Sequence, residues 1–196
     1  MISLQSGIFS PGGLVLLLLA VIIVLIGIWL ILAYNRLTRT RIQIEKSWSQ
    51  VSVQVKLRAD LIPKLVQIVQ GYATHEKETL VKVMETRTRY LSAGTTESAI
   101  ESSGDMGNWL HRLMAIAEQY PDLKEDGNYQ QLQQQLTDIE QKIALARKFY
   151  NDAVMLFNRL VQLFPSSIVA SLFGFEKKPF FEHTAEEADP PGIRLN

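Results

Sequence analysis

The sequence predicts an all-α protein in which an N-terminal transmembrane helix continues into an antiparallel helical bundle. Three observations predict it. Leu14 to Ala33 is a 20-residue run without a charged side chain. Two later stretches place apolar residues at alternating steps of three and four, the spacing of one helix face. No stretch alternates apolar and polar residues for long enough to make a strand with one wet face.

The apolar run comes first. At about 1.5 Å of rise per residue a helix over 14–33 is about 30 Å long, the depth of one bilayer core. A surface helix of a soluble domain buries one stripe and stays polar elsewhere, which this run does not. A cleaved signal peptide fits less well, because the segment 1–13 has no Lys or Arg and no small-x-small cleavage site follows the run. Trp29 and Tyr34 sit where interfacial aromatics lie. Arg36, Arg39 and Arg41 follow on one flank while the other is uncharged, which predicts the N-terminus outside and the bulk of the chain inside. The same arginines suit anionic headgroups, at about 1 kcal/mol for each basic residue near the surface.

From Tyr34 the 3,4 spacing runs on through Leu37, Arg41, Ile44, Trp48, Val51, Val55, Arg58, Ile62, Leu65, Val69 and Tyr72, with ten of the twelve positions apolar or aromatic. The first helix therefore continues out of the span. Residues 14–59 as one helix would be about 70 Å long. Pro63 lacks a donor and clashes with the carbonyl of Ala59, so a kink is expected there, or a restart capped by Asp60. Arg41 and Arg58 occupy seam positions, and a charge buried there needs a partner, for which Asp138, Glu140 and Asp152 are candidates. Asp60, Pro63 and Gly71-Tyr72 are read as residues that set the bend and the following turn.

A second helix is expected from about Thr74 to Ser92, its stripe of Leu80, Val83, Met84 and Leu91 interrupted by Arg87. Residues 95–108 are small, polar and glycine-containing and read as a mobile loop. A short third helix is expected from Trp109 to Tyr120, ended by Pro121. The fourth has the clearest seam, Leu132, Leu136, Ile139, Ile143, Ala146, Tyr150, Ala153, Phe157, Leu160 and Phe164, from near Asn128 to Pro165. Helices this long bury their seams by pairing lengthwise at shallow angles. Ser166 or Ser167 would cap a short turn over 168–173, stopped by Gly174. The domain boundaries are thus a tail 1–13, the span 14–33, a bundle 34–174 and a tail 175–196.

Net charge is zero but uneven: Arg36–Tyr90 holds 11 Lys/Arg against 5 Asp/Glu, and Leu91–Asn196 holds 9 against 15. Two opposite halves of one molecule face each other more naturally than they face nucleic acid. The absence of cysteine excludes disulfides, thiolate metal sites and Cys nucleophiles. His75-Glu76-Lys77-Glu78-Thr79 begins like a zinc-protease helix but has Thr79 where the second His belongs, and His111 and His183 have no ligand-like neighbours. No nucleophile elbow, phosphate loop or dinucleotide fingerprint is present. No catalytic residue, cofactor or metal is expected. Tyr150, Asn151 and Asn158, on or beside the fourth seam, are read as helix-bridging groups. Phe173, Phe175, Phe180 and Phe181, with Lys177 and Lys178, form an aromatic-basic cluster that either packs on the bundle end or docks on the bilayer.

Three blocks carry a family resemblance. Tyr34–Leu80 (YNRLTRTRIQIEKSWSQVSVQVKLRADLIPKLVQIVQGYATHEKETL) resembles the opening of the LemA family, Ala115–Lys124 (AIAEQYPDLK) its Tyr-Pro-x-Leu-Lys segment, and Ala146–Phe181 its closing block, in the same order. The 95–108 segment is the main departure. The resemblance implies a bacterial single-pass anchor with a helical domain inside and no established activity or cofactor. Relatives in magnetosome membranes, and others tied to membrane proteases or envelope stress, imply membrane organisation or an adaptor role. The helix that continues out of the span, the two long seams, the polarised charge and the lack of a catalytic constellation point to a scaffold that self-associates, with an adaptor for a membrane protease or transporter as the alternative.

Overall fold

The computed structural model describes residues 11–181. All the regular structure among them is helical: α1 (Pro11–Tyr72), α2 (Lys77–Leu91), α3 (Thr96–Ala117), α4 (Pro121–Glu125), α5 (Gly127–Gln162) and α6 (Ser166–Leu172). The chain divides into two compact units. Among the described residues, one holds 11–43 together with Met155–Lys178, and the other holds Ile44–Val154 with 179–181.

The second unit is a four-helix bundle of α1, α2, α3 and α5. On α1 the predicted seam is the buried one: Val51, Val55, Arg58, Ile62, Leu65 and Val69 face inward. On α5 Leu132, Leu136, Ile139, Ile143, Ala146, Tyr150 and Ala153 do the same. The two helices run antiparallel in one register, because residues 48, 58 and 72 of α1 meet 150, 140 and 126 of the α5 arm. The α2 helix is antiparallel to α1 as well. Arg87 reaches residue 59 and Tyr90 reaches residue 52, a reversal of direction over one turn.

Helix α1 does not break at Pro63. The proline lies inside it, and Asp60 is an exposed mid-helix residue rather than a cap. The physical reason is in α2. A proline at 63 leaves the Ala59 carbonyl without its N–H partner, and Ala59 is fully buried. The Arg87 guanidinium fills the gap, its Nε donating to the Ala59 oxygen at 2.7 Å. The arginine that interrupts the α2 stripe therefore replaces the donor that Pro63 lacks.

The expected loop 95–108 is the first half of α3. Thr95 and Ser98 form a reciprocal capping box, the Ser98 amide donating to the Thr95 hydroxyl at 3.1 Å and the Thr95 amide to the Ser98 hydroxyl at 3.3 Å. Ala99, Ser102, Ser103 and Met106 then face the core at helical spacing. The small residues that resemble a loop by composition let α3 approach closely, and the Ser102 and Ser103 hydroxyls donate back to carbonyls three and four residues earlier. The short helix expected from Trp109 is the continuation of this one. Pro121, expected only to end it, opens α4 at the first helical position, where a missing donor costs nothing.

In the first unit Leu37, Phe157, Leu160, Val169 and Ala170 are buried together. Ser166 does not cap α6. Its hydroxyl donates to the carbonyls of Leu160 and Leu163, tying off the end of α5. Gly174, with φ of 68°, closes α6, and the Phe175 amide reaches back to the Ala170 carbonyl at 2.9 Å. Residues 175–181, the start of the expected tail, are held in place. Asn158 exchanges two hydrogen bonds with the Lys178 backbone at 2.8 Å each. In the second unit Asn151 does the same with Phe181, at 2.9 and 3.1 Å. Residues 1–10 and 182–196, the latter including His183, lie outside the described residues.

The Pro63–Arg87 compensation is testable as a double-mutant cycle on the full chain in detergent. Arg87→Leu alone leaves a buried carbonyl unpaired and should lower the unfolding free energy by about 1–3 kcal/mol. In a Pro63→Ala background the restored amide takes that carbonyl, so the same substitution should cost clearly less. Equal costs in both backgrounds would refute the compensation.

Candidate functional site

Arg58 sits at the centre of the bundle with 1% of its surface exposed. Its Nη1 donates to Glu140 Oε1 on α5 at 2.7 Å, and its Nη2 donates to the Ser103 carbonyl on α3 at 2.6 Å. Of the three candidate partners, Glu140 is the one Arg58 meets. The guanidinium fits because α3 offers glycine there. A Cβ on Gly107 would lie 3.2 Å from Nη1. Glu140 remains one-third exposed, so the pair spans from the core to the wet rim. Arg41, the other seam arginine, is exposed.

At the α4–α5 junction Asp126 caps α5. Its Oδ1 accepts from the Asn128 and Tyr129 amides at 2.8 and 3.1 Å. Its Oδ2 accepts from the Tyr72 hydroxyl at 3.0 Å. The Tyr129 amide foremost, then the Tyr72 hydroxyl, hold the Asp126 carboxyl below its usual range, and the carboxylate raises the pKa of Tyr72 in return. An Asp just ahead of Gly127-Asn128 is a readable helix-start signal that the expected start near Asn128 passed over.

The expected helix-bridging residues each bind a part of the C-terminal strap, residues 175–181: Asn158 within the first unit, Tyr150 and Asn151 within the second. Trp48, Tyr150 and Phe181 form one aromatic cluster with centroids 5.4–5.8 Å apart. The Tyr150 hydroxyl donates to the Pro179 carbonyl at 3.0 Å, and burial pushes its pKa up to about 12. In the first unit Tyr34 packs edge-on against Phe173 and Phe175, and Phe175 also meets Phe157. The Phe cluster is thus split: Phe175 and Phe181 pack inward, whereas Phe173 and Phe180 stay exposed. Arg36 and Arg39 are exposed on α1 just beyond the apolar run, and Trp29 is half-buried within it.

Two apolar surfaces remain. In the second unit a groove of about 410 Å³ lies between α1 and α5, with Val53, Leu145 and Phe149 about half exposed and Lys142 beside them. In the first unit the side chains of 14–28 on α1 are largely exposed, and this helix is long and apolar enough to cross a membrane. Among the described residues no three His, Asp or Glu side chains gather where a metal ion could sit.

The LemA family model matches residues 47–194, three quarters of the chain. The chain belongs to the LemA family. The magnetosome protein MamQ of Magnetospirillum gryphiswaldense is 26% identical over 190 residues, covering 84% of this chain and 70% of that protein. Magnetosome protein MamQ 2 of Paramagnetospirillum magneticum is 25% identical over 179 residues, covering 78% and 66%. Protein LemA of Metamycoplasma hominis is 27% identical over 137 residues, covering 69% and 63%. The chain spans about two thirds of the length of these relatives. A helical family whose members include magnetosome proteins agrees with a membrane-associated, all-α chain.

The Arg58 site makes an asymmetric prediction. Glu140→Ala strands a buried guanidinium and should cost about 3–5 kcal/mol in chemical denaturation of the full chain. Arg58→Met refills the volume and leaves only a carboxylate that water already reaches, so it should cost less. The exchange Arg58→Glu with Glu140→Arg should not restore stability, since a carboxylate at 58 would face the Ser103 carbonyl. For Asp126, the depressed folded pKa adds stability above the usual carboxylate range that is lost as pH falls through the folded value. The stability gap between wild type and Asp126→Ala should therefore shrink in acid, and a gap constant down to the lowest pH would rule out the charged cap.

Proposed function

We propose that this LemA-family protein is a non-enzymatic scaffold, anchored in the bacterial inner membrane by residues 14–33 of α1, with its N-terminus outside and its bundle in the cytoplasm. It associates with further copies of itself and so organises or remodels the membrane or the complexes within it. The observation that carries self-association is the α1–α5 groove. Val53, Leu145 and Phe149 present apolar surface to solvent along two antiparallel helices, where a monomeric bundle has no use for it. A second copy offering the same stripe about a two-fold axis would cover both. The orientation rests on the exposed Arg36, Arg39 and Arg41 at one end of the run. Relatives named as magnetosome proteins support a role at a membrane.

The test is the mass of the full-length protein in mild detergent by light scattering. Wild type should form a uniform oligomer, and Leu145→Glu with Phe149→Glu should reduce it to a smaller species with its helix content intact. A monomeric wild type would count against self-assembly and favour an adaptor that waits for another membrane protein.

A further inference from the structure

The end of α5, helix α6 and the turn after it form a tip whose exposed surface is mostly apolar, with Gln162 and Ser171 the exposed polar side chains. Phe164 is 80% exposed and Leu172 71%, with Leu163, Ile168 and Phe173 about half exposed. A seven-residue helix that buries Val169 and Ala170 inward and shows Ile168 and Leu172 outward is apolar on both sides. That pattern is stable against water on neither face and calls for a non-aqueous surrounding.

The neighbours of the tip say what the surrounding is. Within the same unit, Leu163 and Phe164 share a depression of about 520 Å³ with Trp29, Leu32 and Ala33 of α1. These α1 residues belong to the last turn and a half of the apolar run. Phe173 meets Tyr34, the residue directly after the run, at 4.9 Å. The tip therefore lies level with the inner end of the span rather than beyond it. At that level the medium around α1 is the boundary between acyl chains and headgroups. Helix α6 also turns 90° from α5, the attitude of a segment lying across the membrane surface rather than through it. The charge of the unit agrees: its basic residues are Arg36, Arg39, Arg41, Arg159, Lys177 and Lys178 against a single acid, Glu176. That balance suits anionic headgroups.

We infer that residues 163–173 are a second membrane-inserting element, a wedge that enters the same leaflet at which the span emerges, with its apolar side among the acyl chains of that leaflet and the basic residues at the headgroups. The inference rests on the reading of 14–33 as a membrane span. It does not depend on self-association.

The chain has no cysteine, so spin labels can be placed singly without removing any native residue. The full-length protein would be reconstituted in phosphatidylethanolamine–phosphatidylglycerol vesicles with a label at Leu172→Cys or, separately, at Phe164→Cys. Leu25→Cys serves as the reporter of the span and Val81→Cys, an exposed position on α2, as the reporter of water. All four positions are exposed, so helix content should match wild type. Collisions with oxygen report lipid, and collisions with a water-soluble nickel chelate report solvent. The expected result is that labels at 172 and 164 lose nickel contact and gain oxygen contact, as at 25, while 81 does the reverse. Labels at 172 and 164 that behave like 81 while 25 remains in lipid would overturn the wedge and leave the span standing. A label at 25 that also meets nickel would overturn the span and the wedge with it.

Discussion

Arg58 and Ala59 are the point on which the bundle turns. Consecutive residues of α1 reach all three of its partners: Arg58 donates to Glu140 on α5 and to the Ser103 carbonyl on α3, and the Ala59 carbonyl accepts from Arg87 on α2. The seams on either side are apolar and nearly repetitive, and apolar seams alone tolerate slippage by a heptad. This layer does not. A shift of α5 by seven residues would set Arg58 beside Gln133 or Arg147, neither of which supplies a counter-charge. The Tyr72–Asp126 and Trp48–Tyr150 contacts hold the same register at other levels of the bundle. A buried ion pair contributes little net stability; what this one contributes is the penalty for every other alignment.

The same layer explains how a proline is tolerated deep in a long helix. Pro63 removes one donor, and the orphaned carbonyl belongs to a residue with no access to water. A carbonyl freed in this way needs another donor. Here a guanidinium from the neighbouring helix takes the role, and Arg87 is available for it because α2 is antiparallel and one turn out of step with Tyr90, whose hydroxyl donates to the Ser52 carbonyl. Two residues that look like defects in separate helices, a proline and a charge in an apolar stripe, are one interaction.

The legibility of the sequence followed from periodicity. Every α1 seam position from Val51 to Val69 and nearly the whole α5 seam are buried, because large apolar residues at steps of three and four have few other destinations. Phe164 is the exception on α5: its spacing is right, yet α5 ends at Gln162 and the ring faces outward. Residues 95–108 resemble a loop for the opposite reason. Ala99, Ser102 and Ser103 form a close-packing face whose signal is small size rather than hydrophobicity, and their spacing, with the Thr95–Ser98 box ahead of them, was the available clue. The Arg58 partner could be narrowed to three acids because burial demands a counter-charge, but choosing Glu140 needed the register. The strap at 175–181 was hidden because its binding comes from Asn151 and Asn158 amides gripping backbone, an interaction that leaves no pattern in the residues gripped.

The tip of the first unit is built to be rigid before it meets anything. A seven-residue helix is far too short to hold its own shape in isolation. Three local devices hold α6 instead. Ser166 ties off the carbonyls of Leu160 and Leu163, Gly174 takes the left-handed conformation that ends the helix, and Phe175 anchors the outgoing chain on Tyr34 and Phe157. The Asn158 clamp on Lys178 then holds the strap that follows. None of these contacts uses Ile168 or Leu172, so both are presented without being needed for the local fold. A surface ordered in advance loses little conformational entropy when it is covered, so most of the free energy of removing its apolar area from water remains to favour insertion.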